Sequence, residues 1–221
     1  HTKANTFLQD QRLSAAPELQ VGVGDRTLGK QIPPTQIKTG KETRQRLQTA
    51  GILKPNGREV FRGRVTVPLT GPGGNVTGIY GLRIEKKGEG EAVQSIRTGL
   101  FNAMALKLFR EVIVCRDIRD AWTFYAAGHR NVLGLGEHAL VKDDVTNVRR
   151  LLIADASIGD DAFADWDLER MRIHLPENLS VHRFAHAWRG ETDALGKRIR
   201  AATWIGGVAS PSSATVTSEE T

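Results

Sequence analysis

Two apolar runs, each followed by charged residues, constrain the fold of this chain most. Glu111–Cys115 has strand character and is followed by Arg116 and Asp117, where a helical pattern begins. Leu151–Ala154 repeats the arrangement and ends on Asp155. In an open parallel α/β sheet, the carboxyl ends of neighbouring strands meet at one edge, where metal and phosphate sites are built. The sequence therefore predicts such an edge, with a cation in the position directly after its first strand.

The composition is that of a globular chain. Its 221 residues are 39% hydrophobic, which is enough to bury the core of one large domain or two small ones. The single cysteine, Cys115, excludes a disulfide framework and lies in an apolar strand, where a buried thiol is expected. No apolar stretch has the length of a membrane span and no signal peptide is apparent, so we expect a cytoplasmic protein without a membrane partner.

Basic residues are concentrated in the first hundred positions, and the whole chain has a formal net charge of +6. Such a surface suits a nucleic-acid backbone, because each contact with a phosphate releases condensed counterions. The alternative is a solvated face that serves only solubility. Tyr80 and Phe61, on the same basic segment, are candidates for stacking on bases. The candidate backbone contacts are Arg62, Arg64, Arg83, Lys86, Lys87 and Arg97.

The pattern of elements divides the chain near residue 100 and predicts an α/β fold. Residues 1–100 are expected to form an α+β subdomain with a hairpin, whose strands at 62–69 and 76–84 flank the turn at 71–74. Residues 101–205 alternate strand and helix patterns, which predicts a small parallel sheet with helices on both faces. Residues 206–221 lack an apolar period and are predicted to be a disordered tail.

Individual elements follow from the same patterns. In the first part we predict a short strand at 20–24 and a helix at 42–50, which ends at Gly51. In the second part the predicted strands are 112–115, 131–133, 151–154 and 179–184, and the predicted helices are 103–109, 117–127, 143–149, 161–172 and 193–202.

Three segments resemble bacterial-type DNA primases. Residues 63–69 and 74–83 are similar to the primase hairpin, which has a Gly/Asn-Arg-Val-x-x-Pro strand, a glycine turn and an aromatic-Gly-Gly-Arg ending. Residues 99–102 resemble the stretch that leads into the TOPRIM domain, especially in primase-like proteins of mobile elements. Residues 112–128 and 151–160 resemble the two TOPRIM signature segments. The similarity runs in order over about residues 5–200, which makes it more specific than any single motif.

This resemblance implies RNA primer synthesis on single-stranded DNA, with a helicase or another replication protein as a partner. TOPRIM acids hold Mg²⁺ or Mn²⁺ ions that bridge the nucleotide phosphates. Here the Glu position is Arg116, and the Asp-x-Asp position reads Asp155-Ala156-Ser157. The acids that remain are the candidate metal ligands, with the first two also the candidate catalytic residues: Asp120, Asp155, Glu191 and Asp193.

Arg116 has three interpretations. It pairs with Asp120 or Asp155 in place of the metal, it binds a phosphate in the cleft, or it is a solvated residue without a role. We therefore expect a primase-like protein that binds nucleic acid in a replication or mobile-element setting, with lost or impaired primer synthesis. The alternatives are an active DNA primase with a rearranged metal site, and an interaction protein that keeps only the fold.

Overall fold

A computed structural model of the chain describes residues 2–13, 16–84, 92–94, 98–176 and 179–208. These residues form two β-sheets, one on each side of residue 100. The predictions for Lys86, Lys87 and Arg97, and for the tail from residue 209 onward, lie outside the described residues. No helix in the described ranges is long and apolar enough to cross a membrane.

The first sheet is antiparallel, with the strand order β1-β2-β3-β4. Its strands are β1 (Gly22–Val23), β2 (Arg64–Thr70), β3 (Val76–Arg83) and β4 (Ala92–Gln94). The same part of the chain contains α1 (Thr2–Asp10), a 3-10 turn (Pro17–Leu19), α2 (Leu28–Gln31) and α3 (Lys38–Thr49).

The hairpin prediction is confirmed, because β2 and β3 pair in antiparallel register from Arg64 opposite Arg83 onward. β2 buries Val65, Val67 and Leu69 on one face, as the period of two requires. At the turn, the Gly74 N–H donates to the Gly71 carbonyl at 2.8 Å. Gly74 has φ = +86°, a conformation that a side chain would strain. The glycine turn thus fixes the register of the sheet.

The second sheet has the strand order β6-β5-β7-β8-β9, and all its pairs are parallel except β8 with β9. Its elements are α4 (Ala105–Leu108), β5 (Glu111–Cys115), α5 (Ile118–Ala126), β6 (Val132–Gly134), a 3-10 turn (Lys142–Val145), β7 (Arg150–Ile153), β8 (Glu169–Arg172), α6 (Val181–Ala187), α7 (Ala194–Arg200) and β9 (Thr203–Gly206).

Helices cover both faces of this sheet. Ile113 and Cys115 of β5 face one hydrophobic cluster, which contains side chains of α1, α5 and α6. Val112 and Val114 face a second cluster, which contains side chains of α4. Buried on both faces, a parallel strand needs a continuous apolar run rather than an alternating one. The α/β fold class is therefore confirmed, and so is the burial of Cys115.

The two sheets share one core and a backbone connection. The first cluster contains Val65 and Leu82 of the hairpin together with Ile113 of the second sheet. The segment between the sheets pairs with both of them, since Leu100 bridges to Thr70 and Phe101 bridges to Gly134. The sheets are thus packed together rather than joined by a loose linker.

Predicted helices at 161–172 and 143–149 are wrong. Residues 161–168 form turns, 169–172 form β8, and only Lys142–Val145 is helical, as a 3-10 turn. The prediction failed because the charged residues of β8 are typical of a solvated helix. Its Glu169 carboxylate accepts from Arg150 at 2.7 Å, and its Arg172 donates to backbone carbonyls of the preceding loop.

The predicted strand at 179–184 is a helix, α6. Ser180 caps it by accepting the Arg183 N–H at 3.3 Å, and Val181, Phe184 and Ala185 are buried at helical spacing. β9 extends to Gly206 as an antiparallel edge strand, one residue into the segment predicted as a tail.

An ionic triad joins three parallel strands at their N-terminal ends. The Arg150 guanidinium donates to Glu111 Oε2 and to Glu169 Oε2, both at 2.7 Å. The Glu169 side chain is only 4% exposed. The ion pair offsets the free-energy cost of removing this carboxylate from water, and that cost is no longer offset if the cation is removed. Arg150 therefore stabilises the end of the sheet opposite the carboxyl ends of the strands.

Replacing Arg150 with Met should lower the free energy of unfolding by about 2–3 kcal/mol, because Glu169 stays buried without its ion pair. Urea denaturation measures the loss. Arg149→Met is the matched control, since Arg149 is exposed and its change should stay within about 0.5 kcal/mol. Equal effects of the two variants would contradict the role given to the triad.

Candidate functional site

A cleft of about 530 Å³ lies at the carboxyl ends of β5 and β7. Tyr80 of β3 and Ala92 of β4 line it from the first sheet. The turns after β5 and β7 line it from the second sheet with Arg116, Asp120 and Asp155. The strand-end pattern thus brings these three side chains to one cavity, between the two parts of the chain.

Asp155 accepts four hydrogen bonds. Its Oδ2 accepts the backbone N–H groups of Arg116 at 3.1 Å and Asp117 at 3.2 Å. Its Oδ1 accepts the N–H of Ser157 at 2.8 Å and the Ser157 hydroxyl at 2.7 Å. Burial acts to raise the pKa of Asp155, but the bonds from Ser157, Asp117 and Arg116 outweigh burial and lower the pKa below its usual value. Asp155 is therefore an ionised side chain with both oxygens engaged by protein donors.

Asp120 lies on α5 and is buried at the base of the cleft. Its Oδ1 accepts the backbone N–H of His182 at 2.8 Å. Burial raises the pKa of Asp120 to about 7 against this hydrogen bond, and the charges of Asp117 and Asp155 add to the rise. The carboxyl group is thus only partly ionised at neutral pH.

Arg116 is exposed and lines the cleft. Of the three interpretations of Arg116, the ion pair with Asp120 or Asp155 is wrong, because Asp155 binds the Arg116 backbone N–H and Asp120 binds the His182 N–H instead. Asp117 caps α5 with one carboxylate oxygen, since its Oδ1 accepts the Arg119 N–H at 2.6 Å. The guanidinium of Arg116 therefore remains accessible to an anion that enters the cleft.

The other two candidate metal ligands do not line the cleft. Glu191 and Asp193 line a separate pocket beside the C-terminal half of α5. Glu191 pairs with Lys197 at 3.3 Å, and Asp193 pairs with Arg200 at 2.8 Å. The predicted four-acid metal set is wrong, because α5 separates these two acids from Asp120 and Asp155, which lie at its N-terminal end.

The residues present do not fit a Mg²⁺ or Mn²⁺ site. Such ions need several carboxylate or carbonyl oxygens that are free to coordinate. Both oxygens of Asp155 accept protein hydrogen bonds, Asp120 is partly protonated, and Arg116 adds a positive charge. Among the described residues, no group of three or more His, Cys, Asp and Glu side chains is placed to hold a metal ion.

Arg172, which the sequence did not single out, fixes the loop after β7. Its guanidinium binds the Asp160 carboxylate at 2.6 and 2.8 Å. It also donates to the carbonyls of Asp155 at 2.9 Å and Ile158 at 2.6 Å. Because Arg172 belongs to β8, this contact ties the loop of Asp155 to the next strand. The available signal was the alternation of charged and apolar residues from 170 to 173.

The basic hairpin residues divide into exposed and structural ones. Arg62 and Arg83 are exposed, and they flank the hydrogen bond from Ile84 N–H to the Gly63 carbonyl at 3.0 Å. Arg64 is buried and donates to the Val60 carbonyl at 3.1 Å, so its prediction as a backbone contact is wrong.

The two predicted stacking residues are also unsuited to that role. Tyr80 and Phe61 are each only 6% exposed. The Tyr80 hydroxyl is hydrogen-bonded to Arg119, and the Phe61 ring packs against Gly81. Stacking on a base requires an open ring face, which neither side chain offers.

Asp120→Asn should remove a pH dependence of stability. The pKa of Asp120 is about 7 in the folded chain and about 4 when unfolded, so its favourable contribution is complete below pH 4 and is lost as the pH rises through 7. Between about pH 5 and 8 the native chain should lose about 2.5 kcal/mol relative to the variant. Urea denaturation at each pH measures this, with the exposed Asp143→Asn as control. Parallel profiles for the native chain and Asp120→Asn would contradict the buried-acid interpretation.

The fold is similar to that of solved bacterial primase cores. The Aquifex aeolicus primase (zinc-binding and RNA polymerase domains) matches with a TM-score of 0.66 and 18% identity, over 92% of this chain and 57% of that one. The E. coli primase catalytic core gives 0.68 and 18%, over 92% and 74%. A DnaG primase catalytic domain bound to single-stranded DNA gives 0.70 and 18%, over 92% and 75%.

No protein-family model and no curated protein matches the sequence. The structural similarity nevertheless extends over nearly the whole chain. The chain therefore has the fold of the DnaG primase catalytic core, as the hairpin and strand-end segments predicted.

Proposed function

We propose that this chain is a primase-like protein that binds single-stranded DNA and has lost metal-dependent primer synthesis. Residues 1–100 form its basic subdomain and residues 101–205 its TOPRIM-like domain. The observation that carries the proposal is the hydrogen bonding of Asp155, whose two oxygens accept four protein donors where a metal site needs free ligands. A replication partner and a mobile-element setting belong to the same proposal.

The surface beside the cleft suits a single strand. Arg116 lines the cleft itself, and Arg83 is exposed at the end of β3, the strand from which Tyr80 lines the cleft. Three residues apart on a strand, Arg83 lies about 10 Å from Tyr80 and points to the opposite face, so it extends the basic surface around β3 rather than along the wall of the cleft. Arg62 precedes Gly63, whose carbonyl accepts the N–H of Ile84, the residue after Arg83. One of the similar solved domains is bound to single-stranded DNA, which supports the choice of ligand.

The affinity for single-stranded DNA should decrease strongly as the salt concentration rises, because these arginines contact phosphates. For Arg62→Gln/Arg83→Gln/Arg116→Gln, the slope of log affinity against log salt should decrease by about 2, and the affinity should fall about tenfold. Fluorescence anisotropy with a labelled single strand measures both. Lys107→Gln/Arg110→Gln/Arg149→Gln removes the same charge from exposed positions away from the cleft and is the control. An affinity of the native chain that is independent of salt would exclude this mode of binding.

Restoring the two missing carboxylates should restore metal binding. We expect Arg116→Glu/Ser157→Asp to bind Mn²⁺ with a dissociation constant of about 1 mM or tighter, because it removes a cation and a donor to Asp155 while adding two anions. The native chain should not bind in this range. Electron paramagnetic resonance of Mn²⁺ distinguishes free from bound ion, and Arg116→Gln/Ser157→Asn controls for the loss of the native side chains.

An active primase is the second candidate, favoured by the fact that Asp117, Asp120 and Asp155 all line the same cleft. It predicts the opposite result: the native chain binds Mn²⁺ as tightly as the restored variant, and Asp155→Ala abolishes that binding. Such a result would overturn the proposed loss of metal chemistry.

A further inference from the structure

The segment between β1 and β2 carries the whole net charge of the chain. Residues 25–62, here called the basic excursion, contain nine Lys and Arg residues and three acids, a net charge of +6. The complete chain also has a net charge of +6, so the positive and negative residues outside the excursion are equal in number. All nine cations except Arg44 are exposed. This concentration sets the basic excursion apart from the rest of the surface.

Helix α3 presents three of its four cations on the side that faces solvent. At 100° per residue, Lys38, Lys41 and Arg46 fall within one arc of about 140°. Gly40 is buried and Leu47 half-buried on the opposite side, towards the protein. The helix thus separates a packing face from a basic face.

The basic excursion is held by defined contacts. Gly40 packs so closely on Pro34 that a side chain there would overlap the Pro34 carbonyl, and Arg44 donates to the Pro33 carbonyl. Gln48 Nε2 donates to the carbonyl of Lys54 at 3.3 Å, which joins α3 to the turn at 54–58. The side chains of that turn are therefore carried on the same scaffold as α3.

Most of this charge is not neutralised. Lys38 pairs weakly with Glu42 at 3.9 Å. Lys41, Arg46, Lys54 and Arg58 form no ion pair with any residue that the structure describes. A cation that is already in an ion pair must give up that partner before it can bind another anion, which costs free energy. Unpaired cations on a fixed scaffold do not have this cost, so they favour the binding of a polyanion most.

The chemistry of the basic excursion selects phosphates rather than bases or lipid chains. Its only aromatic residue, Phe61, is buried, so no ring is open for stacking on an unpaired base. Ile37 is its one exposed large apolar side chain, whereas a membrane-bound helix needs an apolar face. A duplex presents one charge about every 1.7 Å and hides its bases, which matches a surface of cations alone.

We infer that the basic excursion is a second nucleic-acid surface, which binds the phosphate backbone of a duplex independently of the cleft. Binding there does not depend on base sequence, because the contacts are to phosphates. This inference goes beyond the proposed single-strand site and does not require it, since none of the residues that line the cleft belongs to the excursion and the two surfaces share only Arg62.

The test compares two variants of equal charge in the full chain. Lys41→Gln/Arg46→Gln/Lys54→Gln/Arg58→Gln removes cations of the basic excursion. Lys107→Gln/Arg110→Gln/Lys142→Gln/Arg149→Gln removes the same number of exposed cations elsewhere. For a short labelled duplex, the first variant should lose at least about tenfold in affinity and about 3–4 in salt slope, and the second should lose less than about threefold.

Three results would overturn the inference. They are failure of the native chain to bind a duplex, equal loss of affinity in both variants, and binding of the native chain to phosphatidylserine vesicles but not to a duplex. The cleft variant Arg116→Glu/Ser157→Asp separates the two proposals. If this variant still binds the duplex, the basic excursion is an independent surface, even if single-strand binding is lost. If the variant no longer binds the duplex, the inference is overturned.

Discussion

The hydrogen bonds to Asp155 organise the centre of this molecule. They join the turn after β5 to the turn after β7, since one carboxylate accepts N–H groups from both. Hydrogen bonds to a charged group contribute about 1.5–3 kcal/mol each, and here they hold the floor of the cleft. A divalent ion would have to displace these donors before it could bind. The chain thus stabilises, with its own N–H and O–H groups, a negative charge that a metal would otherwise balance.

A second set of polar contacts carries this organisation into the core. Asp120 accepts from the first turn of α6, and the His182 ring lies 3.1 Å from Gln11 Oε1 and 3.3 Å from Thr123 Oγ1. These residues belong to α6, to the end of α1 and to α5, so three segments meet around one imidazole. Arg172 in the same way fixes the loop that carries Asp155, because it donates to the carbonyls of Asp155 and Ile158. Polar groups with fixed partners therefore define the cleft, while apolar packing only brings its walls together.

The sequence revealed the elements whose burial follows one simple period. The hairpin alternates, and β5 and β7 are continuous apolar runs, so each was predictable. β8 was not, because its charged side chains are satisfied by partners far away in the chain, such as Arg150 for Glu169. α6 was misread for the opposite reason, since its short apolar pattern fits either period until the Ser180 cap is known.

The same limit applies to the candidate site. Residues placed by strand ends, such as Asp120 and Asp155, were found to share one cleft. Glu191 and Asp193 could not be placed, because the path of the chain around α5 decides which pocket they line. Arg64 illustrates a further limit: alternation placed it on a strand, but only the fold shows that its guanidinium is buried against the Val60 carbonyl. Long-range partners, rather than local patterns, decide the roles of charged residues.

The distribution of charge links the cleft to the surface around it. Four acids, Asp117, Asp120, Glu137 and Asp155, line the cleft beside Arg116, so the cavity alone offers little attraction to a polyanion. The basic excursion carries a net charge of +6 on a scaffold that the acids do not neutralise. At physiological salt the field of a charge falls off over about 8 Å, so a nucleic acid is captured where cations are dense rather than where the cavity is deep. In the functions proposed for this chain, the basic excursion therefore binds the backbone of a duplex, and the cleft, with its single accessible arginine, contributes only a contact to a single strand.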